Sequence, residues 1–236
     1  MLISHKKQFI FIHIYKTAGT SVMDVFSPYC RLIDRMAYDY KFTRELFRVI
    51  NRLMRWGNDG MKQYTGFHKH AKAHEIREKL ERKQFDSYYK FSFVRNPYDF
   101  LVSLYFYAKQ FERDPSRRAL KDMEYKDFLK RVISNNTACQ LDFITDPKDS
   151  KLLVDFIGRF ETLEKDIAII QEKLGIKIDG SIKHMNSSFK RKSRDYRVYY
   201  DEESRNLVEN HFQRDLDLLG YNFNGFNKDM RIMPNF

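Results

Sequence analysis

Apolar positions along the chain fall into two spacings. Residues 9–14 (FIFIHI) and 91–94 (FSFV) are short runs rich in aromatic and β-branched side chains, which predicts buried strands. Each run meets a polar break and then an apolar stripe at helical spacing, over residues 21–28 after the first and from Pro97 after the second, where proline suits the first helical position. Over residues 34–56, Phe42, Leu46, Phe47, Ile50, Leu53 and Met54 oppose Lys41, Arg44, Arg48, Arg52 and Arg55, an amphipathic helix with a basic face that Gly57, Asn58, Asp59 and Gly60 end in a turn. Tyr125, Phe128, Leu129 and Val132 share one face of a helix over 125–133, and residues 151–157 suit another strand. Two more helices are bounded by their caps: Leu163–Leu174 closed by Gly175, and Glu202–Leu219 opened by Asp201 and closed by Gly220. Residues 110–147 are otherwise polar and suit a surface segment or an insertion beside a substrate. Strands alternating with helices, with no repeat or linker, predict an α/β fold: a single domain over residues 1–236 with a mainly parallel sheet flanked by helices.

With 236 residues, 42% of them hydrophobic, the chain has enough apolar material for one core. The excess of 43 basic over 32 acidic side chains, a net charge of +11, attracts polyanions of any kind, so nucleic acid, membrane surface and anionic glycan all stay open. Cys30 and Cys139 are too few for a disulfide framework and lack metal-ligand spacing, which suits free thiols. The apolar run near the N-terminus is shorter than a membrane span and has no small-residue cleavage site, so a cytoplasmic protein without a transmembrane segment is expected.

The polar breaks carry the chemistry. After the first strand comes KTAGTS, in which Ala18 and Gly19 let backbone N–H groups approach an anion and the following helix turns its positive end toward it. Lys16 precedes Gly19 and no glycine opens the loop, so this is not the Walker A pattern. After the second strand, Arg95 stands at the strand end and Ser103 lies six residues beyond Pro97, about 9 Å up a helix, so that guanidinium and hydroxyl can grip one anion. Residues 64–80 hold His68, His70 and His74, but no glutamate stands between His70 and His74 where a zincin needs one, and no third ligand follows, so no metal is expected.

Together, KTAGTS and the Arg95-Asn96-Pro97 to Ser103 stretch resemble the sulfotransferases that use 3′-phosphoadenosine 5′-phosphosulfate, specifically the carbohydrate type that includes heparan 2-O- and chondroitin sulfotransferases. The resemblance spans roughly residues 9–223 and is missing from 27–64 and 111–147; Tyr15 departs from it, standing where the family usually has proline. It implies a P-loop-like nucleotide-binding architecture and assigns Lys16, Thr17, Ala18, Gly19, Thr20 and Ser21 to the 5′-phosphosulfate, Arg95 and Ser103 to the 3′-phosphate, and Lys16 to the leaving oxygen. A histidine just before a helix acts there as base on the acceptor hydroxyl; His68 and His70 match the His-x-His pair of the 2-O type, and His70 fits the wider pattern better, leaving His74 to the helix surface. A basic segment near the C-terminus closes over the nucleotide in that family, which points to Ser188 and to the run Phe189–Arg197 that follows it, through Arg191 or its neighbours Lys190, Lys192 or Arg194.

The expected function is therefore sulfuryl transfer from that donor, without metal, to a hydroxyl of a glycan acceptor, which the basic surface would suit if the acceptor is anionic. Two alternatives share parts of the pattern. A P-loop nucleotide kinase-like phosphotransferase shares the strand, loop and helix but leaves Arg95 and Ser103 unexplained. A nucleic-acid-binding module accounts for the charge but has none of the familiar readout motifs.

Overall fold

A computed structural model describes residues 1–31, 67–110, 123–135, 137, 139–177, 191 and 193–229. The helix expected over 34–56, its turn at 57–60, and Ser188 lie outside the described residues.

Four strands form the main sheet in chain order: β1 (Leu2–Ser4), β2 (Phe9–Ile12), β3 (Tyr89–Val94) and β4 (Phe156–Arg159). β2, β3 and β4 run parallel, with Phe11 beside Phe91 and Phe93 beside Gly158, while β1 pairs antiparallel with β2 at the edge. The sheet is thus mixed, with two of its three pairings parallel, in keeping with the mainly parallel sheet predicted from the sequence. A short separate hairpin, β5 (Tyr221–Asn222) and β6 (Gly225–Phe226), follows the last helix.

Alternate side chains of β2 enter different cores. Phe9 and Phe11 join Phe91 and Phe93 against α1 (Gly19–Phe26) and α6 (Leu163–Leu174); Ile10 and Ile12 face α2 (Ala73–Lys79), α4 (Pro97–Lys109), α5 (Tyr125–Ser134) and α7 (Glu202–Leu219). A short helix, α3 (Arg82–Ser87), leads into β3. Both faces of the sheet are covered, which is why the strand runs carry almost no polar alternation.

Helices end where the sequence signals them. Gly175 and Gly220 close α6 and α7 in the left-handed conformation, at φ 56° and 65°, and the Asp201 carboxylate accepts from Ser204 N at the start of α7. Three expectations shift. The first helix starts at Gly19 rather than 21 and gives way at 27–29 to a 3₁₀ turn holding Pro28. The strand expected over 151–157 is β4, four residues at Phe156–Arg159, because only there does the chain run beside β3. The polar stretch before residue 147 is not all surface: Gln140, Leu141, Phe143 and Ile144 are buried. Among the described residues no helix is long and apolar enough to cross a membrane.

Candidate active site

Parallel pairing brings the carboxyl ends of β2 and β3 to the same edge of the sheet, and open α/β sheets bind ligands in the crevice outside such ends. Both motif stretches start there.

The loop after β2 turns through two residues with left-handed backbones, Lys16 and Ala18, both at φ 63°. Ala18 occupies the N-cap position of α1, its side chain offers no cap, and the first turn holds no acidic residue. The helix therefore starts without a side-chain cap from its N-cap residue and without a first-turn carboxylate to offset its dipole. Thr17 is fully buried and donates its hydroxyl to Ile14 O at 2.9 Å, so that hydroxyl is committed to shaping the loop. Ser21 is buried and Thr20 half-buried in the first turn of α1. Packing explains Gly19: a Cβ there would lie 1.8 Å from His13 Nε2.

Lys16 lies with its ammonium 4.2 Å from the centre of the Tyr107 ring. Burial, together with the positive charges of Arg95 and Lys69, brings its pKa down to about 8. Tyr15 is wedged beside it: its ring packs on Phe100 at 5.2 Å and meets Phe143 edge-on at 5.6 Å. Aromatic packing thus steadies the loop at the position where the resembled family has a proline.

Arg95, 7% exposed, is held on every side. Its backbone N–H donates to Gln140 Oε1 and its carbonyl accepts from Gln140 Nε2, each at 2.8 Å. Its guanidinium donates through Nε to Asp99 Oδ2 at 2.8 Å, with Nη2 2.6 Å from the same oxygen, and through Nη1 to Lys16 O at 3.2 Å, while its face lies 3.9 Å over Phe160. The last of these bonds ties the two loops together. Guanidinium carries five N–H donors, so Nη1 and Nη2 each keep one beyond these contacts.

Arg191 approaches the same carboxylate from the C-terminal half of the chain: Nη2 lies 2.7 Å from Asp99 Oδ1, a charge contact without hydrogen-bond alignment. Its side chain is 10% exposed, and its Nε has no acceptor among the described residues. Two buried cations therefore share one carboxylate, and a buried guanidinium N–H without an acceptor is costly unless an anion completes the site. Asp99, Ser103 and Tyr107 recur every four residues along one side of α4. Ser103, 4% exposed, thus stands between the position that holds Arg95 and the ring under Lys16.

Asn96 is structural. Its side chain accepts from Tyr98 N at 3.0 Å, capping α4, and donates to Asn222 O and Gly225 O at 2.9 and 3.1 Å, which fastens the terminal hairpin to β3. Its own N–H donates to Glu161 Oε1 at 2.8 Å.

Of the histidines, the fold brings His70 to this crevice. It sits in a turn three residues before α2 begins, as expected of a histidine just before a helix; His74 lies on α2 and His68 is exposed. His70 Nδ1 is 2.9 Å from His13 O. A carbonyl only accepts, so Nδ1 carries the hydrogen and Nε2 keeps its lone pair. The ring lies 4.4 Å from that of His13 and meets Tyr15 edge-on at 5.9 Å. Burial drives its pKa down to about 4; the bond to His13 O opposes this, while Lys69 and the amino group of Met1 add to it. His70 is consequently a neutral acceptor at physiological pH.

Lys16, Thr17, Ala18, Gly19, Thr20, Ser21, Arg95, Ser103, Arg191 and His70 thus gather at one edge of the sheet, while His68 is exposed. Sequence reasoning missed Asp99, Gln140 and His13. Only Asp99 left a signal, as the acidic residue four after Arg95 in the first turn of a helix; the other two are matched to the site by tertiary packing.

An uncharacterized protein of Archaeoglobus fulgidus is 38% identical over 104 residues, 43% of this chain and 79% of the relative. No solved structure matches significantly. The model of the sulfotransferase family matches residues 1–222, and the chain belongs to that family.

Proposed function

We propose that the protein transfers the sulfuryl group of 3′-phosphoadenosine 5′-phosphosulfate to a carbohydrate hydroxyl. The observation that carries this reading is the pairing, at one sheet edge, of a helix N-terminus without a side-chain cap from Ala18, beside Lys16, with the Arg95–Asp99–Arg191 cluster, whose buried Arg191 Nε has no acceptor among the described residues. The first suits the 5′-phosphosulfate, and the second, with Ser103, suits the 3′-phosphate. The donor supplies an activated sulfuryl group with a phosphate as leaving group.

His70 Nε2 accepts the acceptor proton as the new O–S bond forms and the S–O bond to the 5′-phosphate breaks. Lys16, cationic below about pH 8, neutralises the charge gathering on the leaving oxygen. Adenosine 3′,5′-bisphosphate and the sulfated acceptor leave, and His70 returns its proton to solvent. Lys69 and Lys72, the latter 5.7 Å from the Phe143 ring, flank His70 in sequence and favour an acceptor with negative groups near the reacting hydroxyl.

Transfer of radiolabel from the donor to a panel of neutral and acidic glycans tests the reaction, and titration with adenosine 3′,5′-bisphosphate against adenosine 5′-monophosphate tests the donor. Equal affinity for the two nucleotides would remove the 3′-phosphate assignment.

A further inference from the structure

His13 has no part in the chemistry above, yet it touches both halves of it. It lies just beyond β2, 4% exposed, stacked on Phe11 at 5.7 Å. Its Nδ1 is buried with no hydrogen-bond partner among the described residues. A phenylalanine or leucine would fill an apolar core without that cost, so packing alone does not account for an imidazole here. On one side its ring occupies the volume that a Gly19 side chain would need, with Nε2 and Cδ2 1.8 and 2.0 Å from the position of a Cβ. On the other side lies the His70 ring, 4.4 Å away and tilted by 48°, with His13 O accepting from His70 Nδ1.

We propose that His13 is a positioning residue that seats the donor loop and the acceptor base against each other: its ring sets the depth of the Gly19 turn and one wall of His70, and its carbonyl fixes the His70 tautomer. The functional half of this rests on the sulfuryl-transfer reading; the geometric half does not. The titratable groups facing the two rings are Lys69, Tyr15 and the Met1 amino group, the last itself held well below its ordinary pKa by burial; burial above all keeps the His13 ring neutral, with the Met1 amino group, His70 and Lys69 adding to it.

The test is a cycle of variants read first without activity. Gly19→Ala should lower Tm sharply, because the new methyl meets the ring. In a His13→Ala background the same change should cost far less. An equal loss in both backgrounds would overturn the proposal. Should His13→Ala not fold, His13→Asn, which also removes the ring, serves in the same cycle.

By NMR the His70 imidazole should titrate near pH 4 in the parent and move toward 6.5 in His13→Ala as the wall opens. An unmoved titration would also overturn it. kcat/KM in His13→Ala should fall on the order of 10- to 100-fold, with the acid limb of its pH profile moving with the NMR titration. If the Tm cycle and the NMR shift hold while the acid limb stays, the seat stands and the assignment of His70 as base falls.

Discussion

α1 and α4 begin side by side at the same edge of the sheet, and they begin in opposite ways. α4 is closed: Asn96 caps it, Pro97 occupies its first position, and Asp99 places a carboxylate in its first turn. α1 is open: a left-handed alanine stands at its cap position, with no side-chain cap and no acid. The polar donors at a helix start need partners. In α4 the cap residue supplies one; in α1 the cap residue supplies none. The arginine at the closed end gathers its own contacts from residues 99, 140, 160 and 16, whereas the lysine at the open end rests on one aromatic ring. One loop is built around its cation; the other holds its cation ready.

The largest effect that separates the two belongs to Asp99. Asp99→Ala leaves Arg95 and Arg191 buried without a counter-charge and should cost about 3–5 kcal/mol of unfolding free energy, read from urea denaturation. Lys16→Ala should cost about 1 kcal/mol or less, the scale of one cation–π contact. Comparable losses in the two variants would erase the distinction between the loops.

On activity the order reverses. Lys16→Ala should lower kcat on the order of 10²- to 10³-fold with little change in affinity for adenosine 3′,5′-bisphosphate, because the charge it meets appears on the leaving oxygen. A loss confined to donor KM would make Lys16 a ground-state ligand like Arg95.

The pH profile of kcat/KM sharpens the comparison further. His70 must be neutral and Lys16 charged, so activity should hold from about pH 4, well below an ordinary histidine's limb, and decline above about pH 8. Lys16→Arg should abolish the alkaline decline. Because the folded-state pKa of His70 lies below its unfolded value, its contribution to stability is present above about pH 6.5 and is lost as pH falls toward 4. An acid limb near 6.5 would show that His70 is solvated in the working enzyme.

Ser103→Ala is the smallest expected effect. One hydroxyl contact to a charged phosphate is worth about 1.5–3 kcal/mol at most, so binding of adenosine 3′,5′-bisphosphate should weaken by about 10- to 150-fold or less, while adenosine 5′-monophosphate binds as before. Equal weakening of both nucleotides would move Ser103 out of the 3′-phosphate site.

What the sequence determined by itself is what short-range physics controls. The strand runs at residues 9–14 and 91–94, Pro97 at the head of α4, and the caps Asp201, Gly175 and Gly220 all follow from neighbours a few positions apart, and α6 and α7 match their expected limits. The two motifs were legible for the same reason, since each is one strand end and one helix start. Tertiary structure decided everything that needed two distant segments. The polar segment before residue 147 sends Gln140 beneath Arg95 because Asp215, far along α7, accepts its backbone N–H. His70 rather than His68 is packed against His13 and Tyr15, because the fold buries one ring and leaves the other exposed. Desolvation and the filling of a cavity depend on what surrounds a side chain in space, and no spacing along the chain records that.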